Sequence, residues 1–215
     1  KLIGYYLAEG CSDKSRVEFS FHASEIKEAK EVVDLTNYVF KTKFKYDIIC
    51  KHKKNKSLKV RFCSTLISTV YKDILGFNHL STEKRIPPWA YSAPTGFVAG
   101  IISGYFIGDG HVRLESNNFG INMSFLTASK DLMVGMIFLL LKLGIHHNIS
   151  RYGERKNIIR ISGEEGIERF DRCCNISFIK KKNIKFIRKK INHPSNHNVY
   201  PPFLDKNKIK LVKNH

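Results

Sequence analysis

No apolar run in this sequence reaches the roughly 18 residues that a membrane-spanning helix requires. The longest, 132–141, is interrupted by Gly135 and closed by Lys142, so no membrane partner is expected. Acidic residues are scarce, with Asp+Glu 19 against Lys+Arg 37, which gives a net charge of +18. That balance excludes an acidic surface and calls for a polyanionic partner: nucleic acid is the first candidate, and an anionic membrane surface, the second, is disfavoured by the same lack of apolar runs. The five cysteines (Cys11, Cys50, Cys63, Cys173, Cys174) are odd in number and lack zinc-type spacing. Free thiols of this kind fit a reducing, cytosolic compartment, so a cytoplasmic, nucleoid-associated location is expected. No secretory signal is visible, and Lys1 starts inside a helical pattern, as expected of a domain cut from a longer chain or of one whose first residues are absent.

What is present is a repeat. Residues 2–10, Leu-Ile-Gly-Tyr-Tyr-Leu-Ala-Glu-Gly, return one hundred residues later as Ile-Ser-Gly-Tyr-Phe-Ile-Gly-Asp-Gly at 102–110. Gly4 matches Gly104, Tyr5 matches Tyr105, Ala8 matches Gly108, and Glu9 matches Asp109. Each segment is apolar until a final carboxylate and glycine.

The residues between the repeats follow one order twice. Alternation at 17–22 reads as a strand, Ser24 as the cap of an amphipathic helix at 25–40, and 43–48 and 58–62 as two further strands around a turn at 51–56. A helix at 64–75 then stops at Gly76. In the second half the strand is 119–125, followed by a helix at 130–143 capped by Ser129, a hairpin from 145–152 and 157–162, and a helix at 164–174. An α+β chain with this internal duplication should pack as a pseudo-dimer, each sheet covered by helices on one face. The expected divisions are 1–78, a linker at 79–96, a second unit at 97–192 and a basic tail at 193–215. The linker carries Pro87, Pro88 and Pro94, and its apolar Ile86 and Trp89 should anchor it to the fold. From 179 onward the chain has eleven Lys/Arg and one acid, Asp205.

The helix at 97–109 is apolar on nearly every side and must be buried all round, most simply against its duplicate. Gly4 with Ala8, and Gly104 with Gly108, leave small faces at i and i+4 that let two helices approach closely. Close packing would bring Glu9 and Asp109 together at helix C-termini, where the macrodipole is already negative. Two like charges there need compensation, by partial protonation or by a divalent cation, and hard oxygen donors suit Mg²⁺. One acid before a glycine at a helix end is commonplace; a matched pair on two buried helices is not.

These segments resemble the two motifs of the single-chain LAGLIDADG homing endonucleases. The block Lys84-Arg85-Ile86-Pro87, with Gly96-Phe97-Val98-Ala99-Gly100 leading into the second motif, is similar to the intein-encoded branch. The resemblance covers residues 2 to about 190. It implies a duplicated αββαββα fold and Mg²⁺-dependent double-strand cleavage of DNA at a long recognition site, with Mn²⁺ able to substitute. It further implies Glu9 and Asp109 as metal-binding acids, helped by the backbone carbonyls of Ala8 and Gly108, and Lys84 as a basic residue that polarises water or stabilises phosphate charge. Phe77 precedes Lys84 by seven residues as Phe178 precedes Lys185, which makes Lys185 the second-half counterpart, with Lys182 as the alternative. A monomer is expected, since the duplication supplies both halves, and a flanking protein-splicing domain is the implied neighbour.

Outward strand positions carry Lys43, Lys45, Lys59 and Arg61, with Glu18, Ser20 and His22, in the first half, and Asn122, Ser124, Asn148, Ser150, Arg160 and Ser162 in the second. Such donors and acceptors can read base edges in a major groove, while Lys53 and Lys54 in the turn suit phosphates. Tyr5 and Tyr105 read as packing residues, and His146-His147 as surface or DNA-facing residues. Two other readings share the fold: an RNA maturase, and a DNA-binding regulator without catalysis. The two intact acids favour the nuclease.

Overall fold

The computed structural model describes residues 1–52, 56–77, 80–114, 121–152 and 156–174. The first half comprises α1 (Leu2–Glu9), β1 (Gly10–Ser12), β2 (Arg16–His22), α2 (Ile26–Phe40), β3 (Ile49–His52), β4 (Ser57–Cys63) and α3 (Thr65–Thr69). The second repeats it with α4 (Thr95–Asp109), β5 (Gly110–Leu114), β6 (Ile121–Thr127), α5 (Lys130–Lys142), β7 (Asn148–Tyr152), β8 (Lys156–Ser162) and α6 (Glu164–Cys173). Both sheets are antiparallel and share one order, β1-β2-β4-β3 and β5-β6-β8-β7.

Period-two alternation sets the two faces of each sheet. Val17, Phe19, Phe21, Leu58, Val60 and Phe62 are buried beneath the first-half helices, and Met123, Phe125, Ile159 and Ile161 do the same in the second. The aromatic clusters are duplicated as well. Tyr6 packs between Tyr71 (4.4 Å) and Phe77 (4.9 Å), and its counterpart Phe106 packs on Phe125 (5.2 Å) and Phe170 (4.9 Å). At Gly76 and Gly144, which follow helical segments, φ is +67° and +65°, the left-handed backbone that glycine adopts without a Cβ clash.

Several local expectations need correction. The strand expected at 43–48 forms instead at Ile49–His52. Asn37 near the end of α2 donates to the Phe44 carbonyl (2.9 Å) and accepts from the Phe44 amide (2.8 Å), pinning that stretch to the helix. Phe44 then plugs against Phe62 at 5.1 Å, so its apolarity serves a loop, and Tyr46–Ile48 makes a tight helical turn. Ser24 does not cap α2: its hydroxyl pairs with His22 Nδ1 (2.8 Å), and Glu25 occupies the cap position. The helix after Ser64 widens at Val70–Ile74 into i→i+5 bonding, as in Leu75 N to Val70 O at 2.8 Å. Short strands β1 and β5 follow the two carboxylates directly, where the sequence pattern predicts only the ends of helices. The strand expected from 119 is described from Ile121, and 175–215 lies outside the described residues.

Between the halves, Ile86 and Ala90 are buried, while Trp89 stays 40 % exposed against Phe97. Ile86 and Ala90 hold this segment to the fold from the inside, and Trp89 adds an edge-on contact with Phe97 of α4 at its surface. Among the described residues no helix is long and apolar enough to cross a membrane.

Candidate functional site

The centre of the molecule is the contact of α1 with α4. A Cβ built on Gly4 would fall on the Ile101 carbonyl oxygen and lie 2.6 Å from Tyr105 N. One built on Gly104 would fall on the Lys1 carbonyl and lie 2.8 Å from Tyr5 N. Every obstacle is backbone, so the helices meet at a distance that only glycine permits. Further along, Gly108 faces Ala8 and Glu9: a Cβ there would sit 2.5 Å from Ala8 Cβ and 3.3 Å from Glu9 Oε1. Glu9 and Asp109 therefore end the two packed helices on the same side of the molecule, Glu9 half-buried and Asp109 exposed.

Lys84 answers this concentration of negative potential. It is 5 % exposed, and its ammonium donates to the carbonyls of Tyr6 (3.1 Å), Leu7 (3.0 Å) and Ala8 (3.5 Å), the last carbonyls of α1. The Tyr6 carbonyl also accepts from the Gly10 amide, whereas a helix C-terminus leaves its last carbonyls without intrahelical donors, and a cation among them also complements the dipole. Burial lowers the Lys84 pKa, and the charges of Asp109 and Glu9 oppose that shift. Lys84 thus reaches the Ala8 carbonyl that the resemblance assigns to metal. Asp109, Lys84 and Ala8 line one cavity of about 330 Å³, together with Tyr105, Leu126 and Thr127.

Tyr105, expected as simple packing, has a second role here. Its phenol donates to the Leu126 carbonyl at 2.7 Å, and burial followed by the Asp109 charge holds it neutral far into the alkaline range. His111 and Arg113 lie outward on β5 just beyond Asp109, two residues that the sequence reading does not single out. The signal was there: Gly110, Val112 and Leu114 alternate with them.

Of the residues expected to face DNA, Lys59 and Arg61 share the outward face of β4, and Asn122, Ser124, Asn148 and Arg160 share that of the second sheet. Lys43 and Lys45 are exposed but lie on neither sheet, because the segment expected to carry them as a strand is a loop. The Ser150 hydroxyl is buried, opposite Ile158, instead of facing solvent. Lys53, Lys54, Lys182 and Lys185 lie outside the described residues. Nearer the core, His147 Nδ1 lies 3.1 Å from the Ile145 carbonyl, and no group of three or more His, Cys, Asp or Glu forms a metal cluster among the described residues.

The donor set at the helix ends fits a hard divalent cation in part. Two carboxylates and the adjacent carbonyls are all oxygen, as Mg²⁺ prefers, but they are too few to complete six-fold coordination without water and phosphate oxygens.

Residues 96–175 match the family described as LAGLIDADG-like domain. The homing endonuclease I-DmoI, in a complex with DNA and Ca, superposes with a TM-score of 0.60 at 12% identity, covering 86% of this chain and 95% of that one. The chain is a LAGLIDADG-fold protein. The same duplicated architecture appears in full-length DUF199/WhiA from Thermotoga maritima, with a TM-score of 0.59 at 16% identity over 99% of this chain and 63% of that one. At such identities the likeness is one of fold. In sequence, this chain is 29% identical over 183 residues to the uncharacterized protein MJ1054 of Methanocaldococcus jannaschii. It is 31% identical over 178 residues to the ATP-dependent DNA helicase Hel308 of Thermococcus kodakarensis, and 30% identical over 183 residues to a protein of M. jannaschii named translation initiation factor IF-2. These matches take in 79%, 76% and 80% of this chain but only 20%, 15% and 14% of the three relatives.

Proposed function

We propose that this LAGLIDADG protein is a site-specific DNA endonuclease that hydrolyses phosphodiester bonds on both strands with Mg²⁺, and that it is encoded within an intein. The observation that carries the reading is the pair Glu9 and Asp109 at the ends of glycine-packed helices, beside the buried Lys84 and flanked by two outward polar sheets. A divalent cation held by Glu9 and Asp109 would supply an activated water and a counter-charge for the leaving oxygen. The chain supplies the rest. Lys84 fixes the end of α1 and neutralises the carbonyls behind Glu9, Tyr105 braces α4 against β6 through Leu126, and the sheets hold the duplex in register.

The insertion reading rests on the relatives. Segments similar to 76% and 80% of this chain make up a small part of proteins with unrelated names, a helicase and an initiation factor. A mobile element lodged in different hosts accounts for that pattern, and a flanking splicing domain accounts for its lodging. The protein acts as a monomer, cytoplasmic and nucleoid-associated. Incubation with plasmid carrying the uninterrupted host sequence should linearise it in Mg²⁺ and leave it intact in chelator. Intact plasmid in both would defeat the nuclease reading.

A second reading, a DNA-binding regulator, is favoured by the likeness to WhiA and by the engagement of Lys84 with α1 carbonyls. It is preferred if the chain binds that plasmid tightly yet never cuts.

A further inference from the structure

The duplicated backbone carries two outward sheet faces that are not copies of each other. Gly10 pairs with Phe19 and Gly110 with Phe125, and these two phenylalanines pair in turn with Val60 and Ile159. Counting outward from those pairs, Glu18 corresponds to Ser124, Arg61 to Arg160, Lys59 to Ile158, and Ser20 to Leu126.

In the first sheet these positions form a charged cluster. Glu18 is only 9 % exposed, and both of its oxygens are occupied: Oε1 accepts from Lys59 Nζ at 2.6 Å, and Oε2 accepts from Arg61 Nε at 2.9 Å and Nη2 at 2.6 Å. Burial pushes the carboxyl pKa up, but the bonds from Lys59 and Arg61 outweigh it and hold the group below its ordinary value. Two of the five guanidinium N–H groups are used in this way, which fixes the plane of Arg61 and leaves Nη1 for another acceptor. In the second sheet the carboxylate is replaced by the hydroxyl of Ser124, the lysine by a buried Ile158, and Ser20 by a Leu126 that is 37 % exposed.

We infer that Glu18 is a positioning residue that holds Arg61 and Lys59 as a guanine-reading pair, while the exposed Leu126 contacts thymine methyl groups, so that the two half-sites of the DNA differ in base class. The inference rests on the DNA-binding reading above and goes beyond it to the bases read. Arginine and lysine donate to O6 and N7 of guanine, and apolar side chains select the methyl group of thymine. A carboxylate on a surface that must meet phosphates weakens non-specific binding, so electrostatics alone gives no reason for Glu18. Orientation does: long side chains that are already ordered lose less freedom on binding. Stability gives little reason either, because partly exposed ion pairs contribute little.

The test is selection of duplexes from a randomised DNA library by the full chain, read as binding. The wild type should enrich an asymmetric sequence, with guanines in one half and thymines in the other. Glu18→Gln should cut guanine discrimination about tenfold, leave the thymine positions unchanged, and hold or raise affinity for random DNA. Arg61→Lys keeps the charge and loses the fork, so it should lose the same guanine preference at an unchanged melting temperature, even if Glu18→Gln folds poorly. Leu126→Ser should erode only the thymine preference. A Glu18→Gln protein that keeps its guanine preference, or a wild-type site with the same base class in both halves, overturns the inference while DNA binding stands. If the wild type enriches no sequence, the DNA-binding reading itself fails and takes the inference with it.

Discussion

Replacing Gly104 by alanine tests the centre of the molecule with one carbon atom. The added Cβ would fall on the Lys1 carbonyl, 2.8 Å from Tyr5 N and 3.1 Å from Gly4 Cα. Ordinary contacts begin near 3.4 Å, and no side-chain rotation can relieve a clash with backbone, so α1 and α4 must separate by about 1 Å. Overpacking of this kind costs about 1–3 kcal/mol, and the helical preference of alanine over glycine returns up to about 1 kcal/mol. The net expectation is a loss of about 1–2 kcal/mol, or a melting temperature lower by roughly 2–8 °C in a chain of this size. Gly96→Ala is the internal control. It lies in the first turn of the same helix with nothing within 4 Å of the added Cβ, so it should raise stability by about 0.5–1 kcal/mol. The functional consequence is larger, since a displacement of about 1 Å at reacting groups can cost roughly a hundredfold in rate. Thermal denaturation with plasmid cleavage on both variants gives the answer. If Gly104→Ala melts at or above the wild-type temperature, the two helices do not meet at this distance, and the convergence of Glu9 and Asp109 is wrong.

Asp109→Asn should abolish double-strand cleavage in a plasmid assay while leaving sequence-specific binding within a few-fold, and its metal-free melting temperature should equal or exceed the wild type because like-charge repulsion is removed. Glu9→Gln should do the same, since a metal clamp fails as a unit. Lys84→Met should slow cleavage, and a pH series of urea melts should separate it from the wild type. The folded-state pKa of Lys84 is lowered, so between that value and 10.5 the unfolded chain holds more of this proton; wild-type stability should rise with pH in that window relative to the variant, and a parallel pair of curves would contradict the burial of the ammonium. Affinity for DNA should fall steeply with salt as counterions are released, and a flat response between low and moderate salt would exclude phosphate contacts by the basic surface.

The acidic end of this molecule is legible in the sequence because its signal is duplicated. Glycine spacing at Gly4 and Gly104 only makes sense as a close helix contact, and a carboxylate repeated at 9 and 109 marks which end of that contact matters. Elements too short to show periodicity were not legible. β1 has three residues and β5 has five, and each begins with the glycine that seemed only to end a helix, which concealed His111 and Arg113. The alternation at 43–48 misled for a different reason. Phe44 packs against Phe62 of β4 from a loop tied down by Asn37, while Tyr46 is exposed and bonds to Asp34 of α2, so tertiary contacts of a loop produce the same pattern as a strand. The carboxylate that organises Arg61 and Lys59 was visible only as one outward acid among bases, since cross-strand pairing is not written in either strand alone.

The placement of Lys84 has its own logic. Two acids at helix C-termini require a cation that neither helix can provide from its own last turn, since α1 and α4 carry no basic residue there. The cation must come from elsewhere and must be held firmly, because a buried ammonium that wandered would lose its carbonyl partners at a cost of several kcal/mol per ion. The segment joining the halves meets both needs by running along α5. Ser129 at the start of that helix donates to the Lys84 carbonyl at 2.5 Å, Ile86 packs where Gly135 leaves room in its middle, and Lys142 at its end donates to the Tyr91 carbonyl at 2.7 Å. Three attachments along one rigid helix of the second half thus fix the residue that caps the acidic helix of the first. Gly135, which looked in the sequence like an interruption of an apolar run, is the notch that seats this strap, and filling it with a larger side chain should displace Lys84 without touching either acid.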